Sequence, residues 1–342
     1  MREQAATAAE REAALERMFA MTVGFQGTLT FPCLPAATDI IVLRIVAAVN
    51  GVGRGVATET IEALRASIRK KTQQGYAQSP HHRLIVKYGS DAADPKLVNF
   101  ETSVFATEAY AAWGVRAGQS QFGERPDAMA VALVTELGAM GLKVLDVGAG
   151  TGRNAMALAK LGCAVDAVEL NPEFAKLAAK AGVPHGLNFI TGDFLDVELA
   201  LRRAPYDLVL LAEVISSHAP DVAVLRHFFT RMRAVLRPGG LALCSLFVAD
   251  DEEVLSDLAR QVGNHYLSCP FSARDLAQAL AETGFTLLQD QPVAAVERAE
   301  AAPGTWPPTE WFEDWAAGRN VFALPHDVPS PLELKWLTFV AS

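Results

Sequence analysis

The stretch Val144-Leu-Asp-Val-Gly-Ala-Gly-Thr-Gly152 decides how the fold is read, because it carries an apolar strand into a helix through Gly148, Gly150 and Gly152. Glycines let a backbone turn sharply and approach a ligand where any Cβ would clash. A helix starting at about Arg153 would then aim unpaired N–H groups and a partial positive charge at that place. Such a turn suits a pyrophosphate or a carboxylate. A dinucleotide fingerprint needs G-x-G-x-x-G. Counted from Gly148, its last glycine falls on Arg153, so that pattern is broken.

Outward from this turn, short β-branched or leucine-rich runs alternate with helix-length segments, the mark of a parallel sheet with crossover helices. Strands are expected over 143–147, 165–169, 187–191, 206–211 and 241–246, with a helix over 173–181 opened by Pro172. Leu236-Arg-Pro-Gly-Gly240 is expected to stop a helix before the fifth strand. Ser272 should cap a helix running to Thr283 and ending at Gly284. Two last strands are expected over 285–289 and 333–340. The fold class is α/β.

Two regions stand outside that alternation. Residues 1–120 read as an N-terminal α+β appendage, a lid, substrate or dimerisation element before a domain over 121–342. Helices are expected over 3–19, 37–49 and 58–77, and strand-like stretches over 25–31, 83–88 and 97–105. The second region is an insertion over 290–332 between the last two strands, rich in tryptophan. Trp311 and Trp315 share one helical face, which reads first as core and second as a lid.

A formal net charge of −9 gives no electrostatic reason to bind nucleic acid. The densest basic run, Arg65 to Lys71, is expected to close a helix, where cations complement the dipole. Cys33, Cys163, Cys244 and Cys269 form no C-x-x-C pair and no zinc spacing with histidine, so no metal site is expected. Unpaired core thiols suit a reducing cytoplasm. The longest apolar run, 40–49, is interrupted by Arg44 and too short to span a bilayer, so no membrane partner is expected.

Asp146-Val-Gly-Ala-Gly-Thr-Gly152, with an acid ahead of three alternate glycines, resembles the first motif of class I S-adenosylmethionine-dependent methyltransferases. Three further features agree in order and spacing: Glu169 at the end of the second strand, Gly192-Asp193-Phe194 after the third, and Tyr206 to Glu213 followed by Leu236 to Gly240. The run through Gly152-Arg153-Asn154 and on to Glu169 is similar to tellurite-resistance-type methyltransferases over about residues 143–195. The long leader and the insertion depart from that compact group, so tellurite is not carried over as acceptor.

The resemblance implies a doubly wound seven-stranded Rossmann-like sheet with an antiparallel final strand, and S-adenosyl-L-methionine as donor, leaving S-adenosyl-L-homocysteine. It assigns Asp146, Gly148, Ala149, Gly150, Gly152 and Asn154 to the methionine end. Glu169 and Leu170 fall to the ribose, Gly192, Asp193 and Phe194 to the adenine, and Ala212 to the methyl side. His218 is the candidate general base, since histidine titrates near neutrality. Glu213 is a second catalytic candidate that could orient the acceptor or contact the donor. Ser216 and Ser217 read as caps, and His81 and His82 as loop surface. The expected function is methyl transfer to a small organic acceptor. The alternatives are a peptide or protein acceptor, or a non-catalytic S-adenosylmethionine-binding protein. The leader's helices also allow a homodimer.

Overall fold

The computed structural model describes residues 25–53, 55–90, 97–106, 123–180 and 182–342. The chain divides into two compact units, Met1–Ala106 and Thr107–Ser342. The helix expected over 3–19 lies outside the described residues.

The first unit runs β1 (Gln26–Pro32), α1 (Thr38–Gly51), α2 (Thr58–Gln78), β2 (Arg83–Ser90) and β3 (Val98–Phe105). Its three strands are antiparallel in the order β1-β2-β3. Ile41, Ile45 and Val49 recur every fourth residue along α1 and are buried, as are Leu64 and Ile68 of α2 and Leu84 and Val86 of β2. This is the one-sided burial that helical and strand periods impose on an amphipathic sequence. The basic run 65–71 lies inside α2 rather than at its end. Arg65 there donates to Asp39 of α1 at 2.8 Å.

The second unit holds α3 (Ala128–Leu137), β4 (Lys143–Val147), α4 (Arg153–Lys160), β5 (Ala164–Glu169), α5 (Pro172–Lys180), β6 (Leu187–Thr191), β7 (Tyr206–Leu211), α6 (Ile215–His218), α7 (Val222–Val235) and β8 (Leu236–Ala249). It continues with α8 (Asp257–His265), β9 (Pro270–Phe271), α9 (Ala273–Leu280), β10 (Phe285–Pro292), α10 (Val293–Ala299), α11 (Phe312–Ala316) and β11 (Leu332–Ala341). The main path of the sheet is β10-β11-β8-β7-β4-β5-β6, with β9 pairing beside β8. β11 is antiparallel to both of its neighbours, and the other pairings are parallel. The strand order reverses at β4, which lies between β5 and β7, and such a switch point opens a crevice at the carboxyl ends of the strands.

Alternate residues of the strands feed two separate cores. Leu243, Phe247, Leu334 and Trp336 pack on one face with α3, α4 and the insertion. Cys244, Leu246, Leu337 and Phe339 pack on the other with α7 and α9. This period of two, with helices on both faces, is what doubly wound means physically.

Two expectations need correction. The helix does stop before Leu236, as expected, but the next strand starts at Leu236 itself rather than at 241. Tyr206 pairs with Leu236 and Leu208 with Leu241, so Arg237-Pro-Gly-Gly240 is accommodated opposite one residue as an irregularity. Pro238 has no N–H for a ladder and Gly239 takes φ of +71°, which makes this the place to store extra residues. The helix after Ser272 is also shorter than expected. It has a full capping box with Asp275, but ends at Leu280.

The insertion is a packed layer. Trp315 is 3 % exposed and meets Phe247 edge-on at 5.1 Å between centroids. Phe312 and Ala316 are buried beside it, whereas Trp311 is half-exposed against the outer side of Trp315. Among the described residues no helix is long and apolar enough to cross a membrane.

Candidate functional site

β4 delivers Asp146 to the switch point, and the chain leaves it through the glycine turn. The amides of Gly148 and Ala149 both donate to the Val168 carbonyl of β5, at 2.8 and 3.1 Å. Gly148 has φ of +67°, and a Cβ there would lie 2.4 Å from Val214 beyond β7, so only glycine lets these two strand ends come together. At Gly150, φ is +57° and a Cβ would meet no protein atom within 4 Å. This bare backbone is the face that a ligand can approach. Gly152 is the N-cap of α4.

Several amides of the turn are already engaged within the chain. Gly150 donates to Glu169 at 2.8 Å and Gly152 to the Ala149 carbonyl at 2.8 Å. The Ala155 amide in the first turn of α4 serves the Asp146 carboxylate. The turn therefore presents shape and negative charge, which suits a cationic group better than a pyrophosphate.

Glu169 is 1 % exposed, and its other oxygen accepts from the Asn171 amide at 2.7 Å. It holds the turn and the β5 exit together. Leu170 is exposed at the rim, the Gly192 amide donates to the Glu169 carbonyl at 3.0 Å, and exposed Asp193 accepts from the Leu195 amide at 2.9 Å. Phe194, expected over an adenine ring, instead points into the core against α7, with the Arg231 guanidinium over its ring. An apolar ring gains more from that burial than from a wet rim.

The centre of the site is a buried charge network. Arg153 pairs with Asp127 at 2.5 Å and with Glu213 at 2.6 Å, and all three side chains are largely buried. Asn154 is not free for a ligand, because its amide both donates to Asp127 and accepts from the Asp127 N–H at 2.8 Å each. Glu297 of α10 accepts from the amides of Ala128 and Met129 at 2.6 and 3.2 Å and from the Trp336 indole at 3.1 Å. Glu213 stands just past β7 with φ of +55°, its N–H donating to Ser245 of β8 at 2.7 Å.

Burial pushes the Asp146 carboxyl up to about 7, with Arg153 pulling the other way. Burial and the nearby Asp127 raise Glu213 above the usual carboxylate range, against its pairing with Arg153. Burial would favour a neutral Arg153, but Asp127 and Glu213 overcome it and hold the guanidinium protonated. Among the described residues, one oxygen of Asp146 and one of Glu213 are buried without a hydrogen-bond partner. Orphaned buried acceptors are costly, so they mark where a donor from outside the chain would fit.

Ala212 is half-buried at the β7 exit, and Ser216 and Ser217 are buried in α6. Exposed His218 ends that helix. Phe122, which the sequence offers as a cover for the methionine end, and Tyr110–Trp113, offered as pocket lining, lie outside the described residues. Sequence reasoning missed Asp127 and Glu297, and met Arg153 only as part of a motif. The one available signal was a charged residue at the first position of a glycine-led helix.

The methyltransferase-domain family pattern matches residues 108–290, just over half of the chain. A ubiquinone biosynthesis O-methyltransferase of Xylella fastidiosa is 35 % identical over 104 residues, covering 29 % of this chain and 39 % of that protein. A sterol 24-C-methyltransferase of Gibberella zeae is 29 % identical over 179 residues, covering 49 % and 45 %. The chain thus spans less than half the length of these curated relatives. A solved geranyl diphosphate C-methyltransferase from Streptomyces coelicolor overlaps 63 % of this chain and 79 % of its own, at a TM-score of 0.45 and 16 % identity. The orphaned carboxylate oxygens and the bare turn at Gly150 fit the ammonium and sulfonium of S-adenosylmethionine. With that family match and with its strand order and its one antiparallel inner strand, the chain belongs to the class I S-adenosylmethionine-dependent methyltransferases.

Proposed function

We propose that this chain transfers the methyl group of S-adenosylmethionine to a small organic acceptor. The observation that carries the reading is the pair of carboxylates, Asp146 and Glu213, each with a buried unpartnered oxygen beside a turn that exposes bare backbone at Gly150. The bound donor supplies a methyl carbon on a cationic sulfur. Asp146 and Glu213 offset the donor's positive charge, Glu169 accepts from its sugar, and Gly150 lets the chain approach it.

The names of the relatives concern small molecules, a ubiquinone precursor pathway and sterols, which supports a small acceptor. The resemblance through Gly152-Arg153-Asn154 concerns the donor end and gives no acceptor. His218 is the group offered for proton removal: it is solvent-exposed just beyond the β7 exit. Glu213, tied to Arg153, belongs to the donor side instead. Four buried thiols without disulfides support a reducing compartment such as the cytoplasm.

A thermal-shift series with S-adenosylmethionine, S-adenosylhomocysteine and NAD tests the donor, since a ligand that binds only the folded state raises Tm. Stabilisation by both sulfur nucleotides and none by NAD is expected, and stabilisation by neither would refute the reading. Transfer of radiolabelled methyl to metabolite pools rather than to lysate proteins is expected. Label on protein would move the acceptor class to polypeptides, and donor binding without transfer to either would leave a binding protein. His218→Ala should lower turnover about a hundredfold with donor affinity unchanged, a typical loss for a general base.

A further inference from the structure

The acid cluster around Arg153 carries more negative charge than its one cation can balance. Asp127 comes from the segment before α3, Asp146 from β4, Glu213 from the exit of β7 and Glu297 from α10. Arg153 of α4 is the only basic group paired with any of them among the described residues. Glu169 of β5 adds a further carboxylate on the side of the turn. From β8 the group facing Glu213 is a neutral hydroxyl, Ser245. Asp146 is 2 % exposed and Glu213 is 5 % exposed, so water cannot screen them. Ionising all of these acids together at such depth is costly, and without an added cation the cluster retains a proton.

We propose that Asp146 and Glu213 select the cationic methyl donor over its neutral spent form by exchanging a proton of this cluster for the donor's positive charge. The inference rests on the donor assignment made above. Donor binding sends one proton from the cluster to solvent, and the sulfonium supplies the positive charge that the two buried, unpartnered carboxylate oxygens lack. Methyl transfer then forms the bond from acceptor to methyl carbon and breaks the carbon–sulfur bond, whose electron pair leaves a neutral thioether, while the proton of a protic acceptor goes to solvent by way of His218. The cluster is again short of a cation, takes a proton back from solvent, and holds the product less tightly. Asp146 and Glu213 thus act as specificity residues at the sulfur, apart from any role in positioning.

The test is isothermal titration of the full chain with S-adenosylmethionine and with S-adenosylhomocysteine at several pH values, in two buffers of different ionisation enthalpy. Both ligands carry the same amino and carboxyl groups, so their own titration largely cancels in the ratio of affinities. Donor binding should release more protons than product binding. The affinity ratio should rise with pH through neutrality, by up to about tenfold per pH unit, the limit for one linked proton. Glu213→Gln and Asp146→Asn should each flatten that rise, and the Tm gained with product shows that a variant is folded. Binding of both ligands with equal proton release and a ratio independent of pH would overturn this inference and leave the donor assignment standing. Absence of binding by either ligand would overturn both.

Discussion

The turn between β4 and α4 and the insertion between β10 and β11 sit on the same unit and are built in opposite ways. The turn depends on backbone: positive φ at Gly148 and Gly150, amides shared with Val168 and Glu169, and a close approach to Val214. The insertion depends on side chains: Trp315 against Phe247, Phe312 in the core, and the Trp306 indole on Glu313. Backbone demands of the first kind restrict a position to one residue type, so they are visible in a sequence. Packing demands of the second kind are met by many aromatic or aliphatic sets, so they are not.

Three measurements would sharpen or break that contrast. The largest effect is expected for Trp315→Ala, which empties a site only 3 % exposed and should cost about 3–5 kcal/mol in urea unfolding. Donor affinity per folded molecule should stay within about twofold, and a large loss would show that the insertion shapes the donor site directly. Next comes Gly148→Ala. Left-handed backbone strain of about 1–2 kcal/mol adds to the clash with Val214, so both stability and donor affinity should fall together. Titration calorimetry on the variant would contradict the close-approach argument if affinity were unchanged.

The smallest effect, taken per pH unit, is the dependence of stability on pH. Asp146 titrates near 7 in the folded chain against an ordinary 3.8. A carboxyl raised on folding contributes stability below its unfolded value and loses it as pH climbs through the folded one. Unfolding free energy of the ligand-free protein should therefore decline between about pH 4 and 7, by up to about 1.4 kcal/mol per pH unit from this group. Asp146→Asn should remove that share of the slope, and parallel curves for the two proteins would reject it.

Much of the fold was readable because parallel strands buried on both faces appear as short apolar runs, as at 143–147, 187–191 and 206–211, whose bounds coincide with β4, β6 and β7. The strand starting at Leu236 was misread, because Pro-Gly-Gly signals a turn locally and only the pairing with Tyr206 and Leu208 shows that it is held within a ladder. At the site, the acids at strand ends were legible from their position in the motif. Asp127 and Glu297 were not, since they are remote in sequence and reach Arg153 or α3 only through tertiary contact. Asn154 and Phe194 were placed on the ligand side by resemblance, whereas Asp127 and the core claim their side chains.

The position of Glu297 bears on modularity. It belongs to α10, inside the insertion, yet it accepts the first two amides of α3 and the indole of Trp336 on β11. A chain trimmed to the minimal sheet would leave those three donors without an acceptor, next to the segment that brings Asp127 to Arg153. The insertion is for that reason no optional ornament that can be excised or swapped as a cassette. Any graft made to alter acceptor choice would have to bring its own carboxylate to the same place.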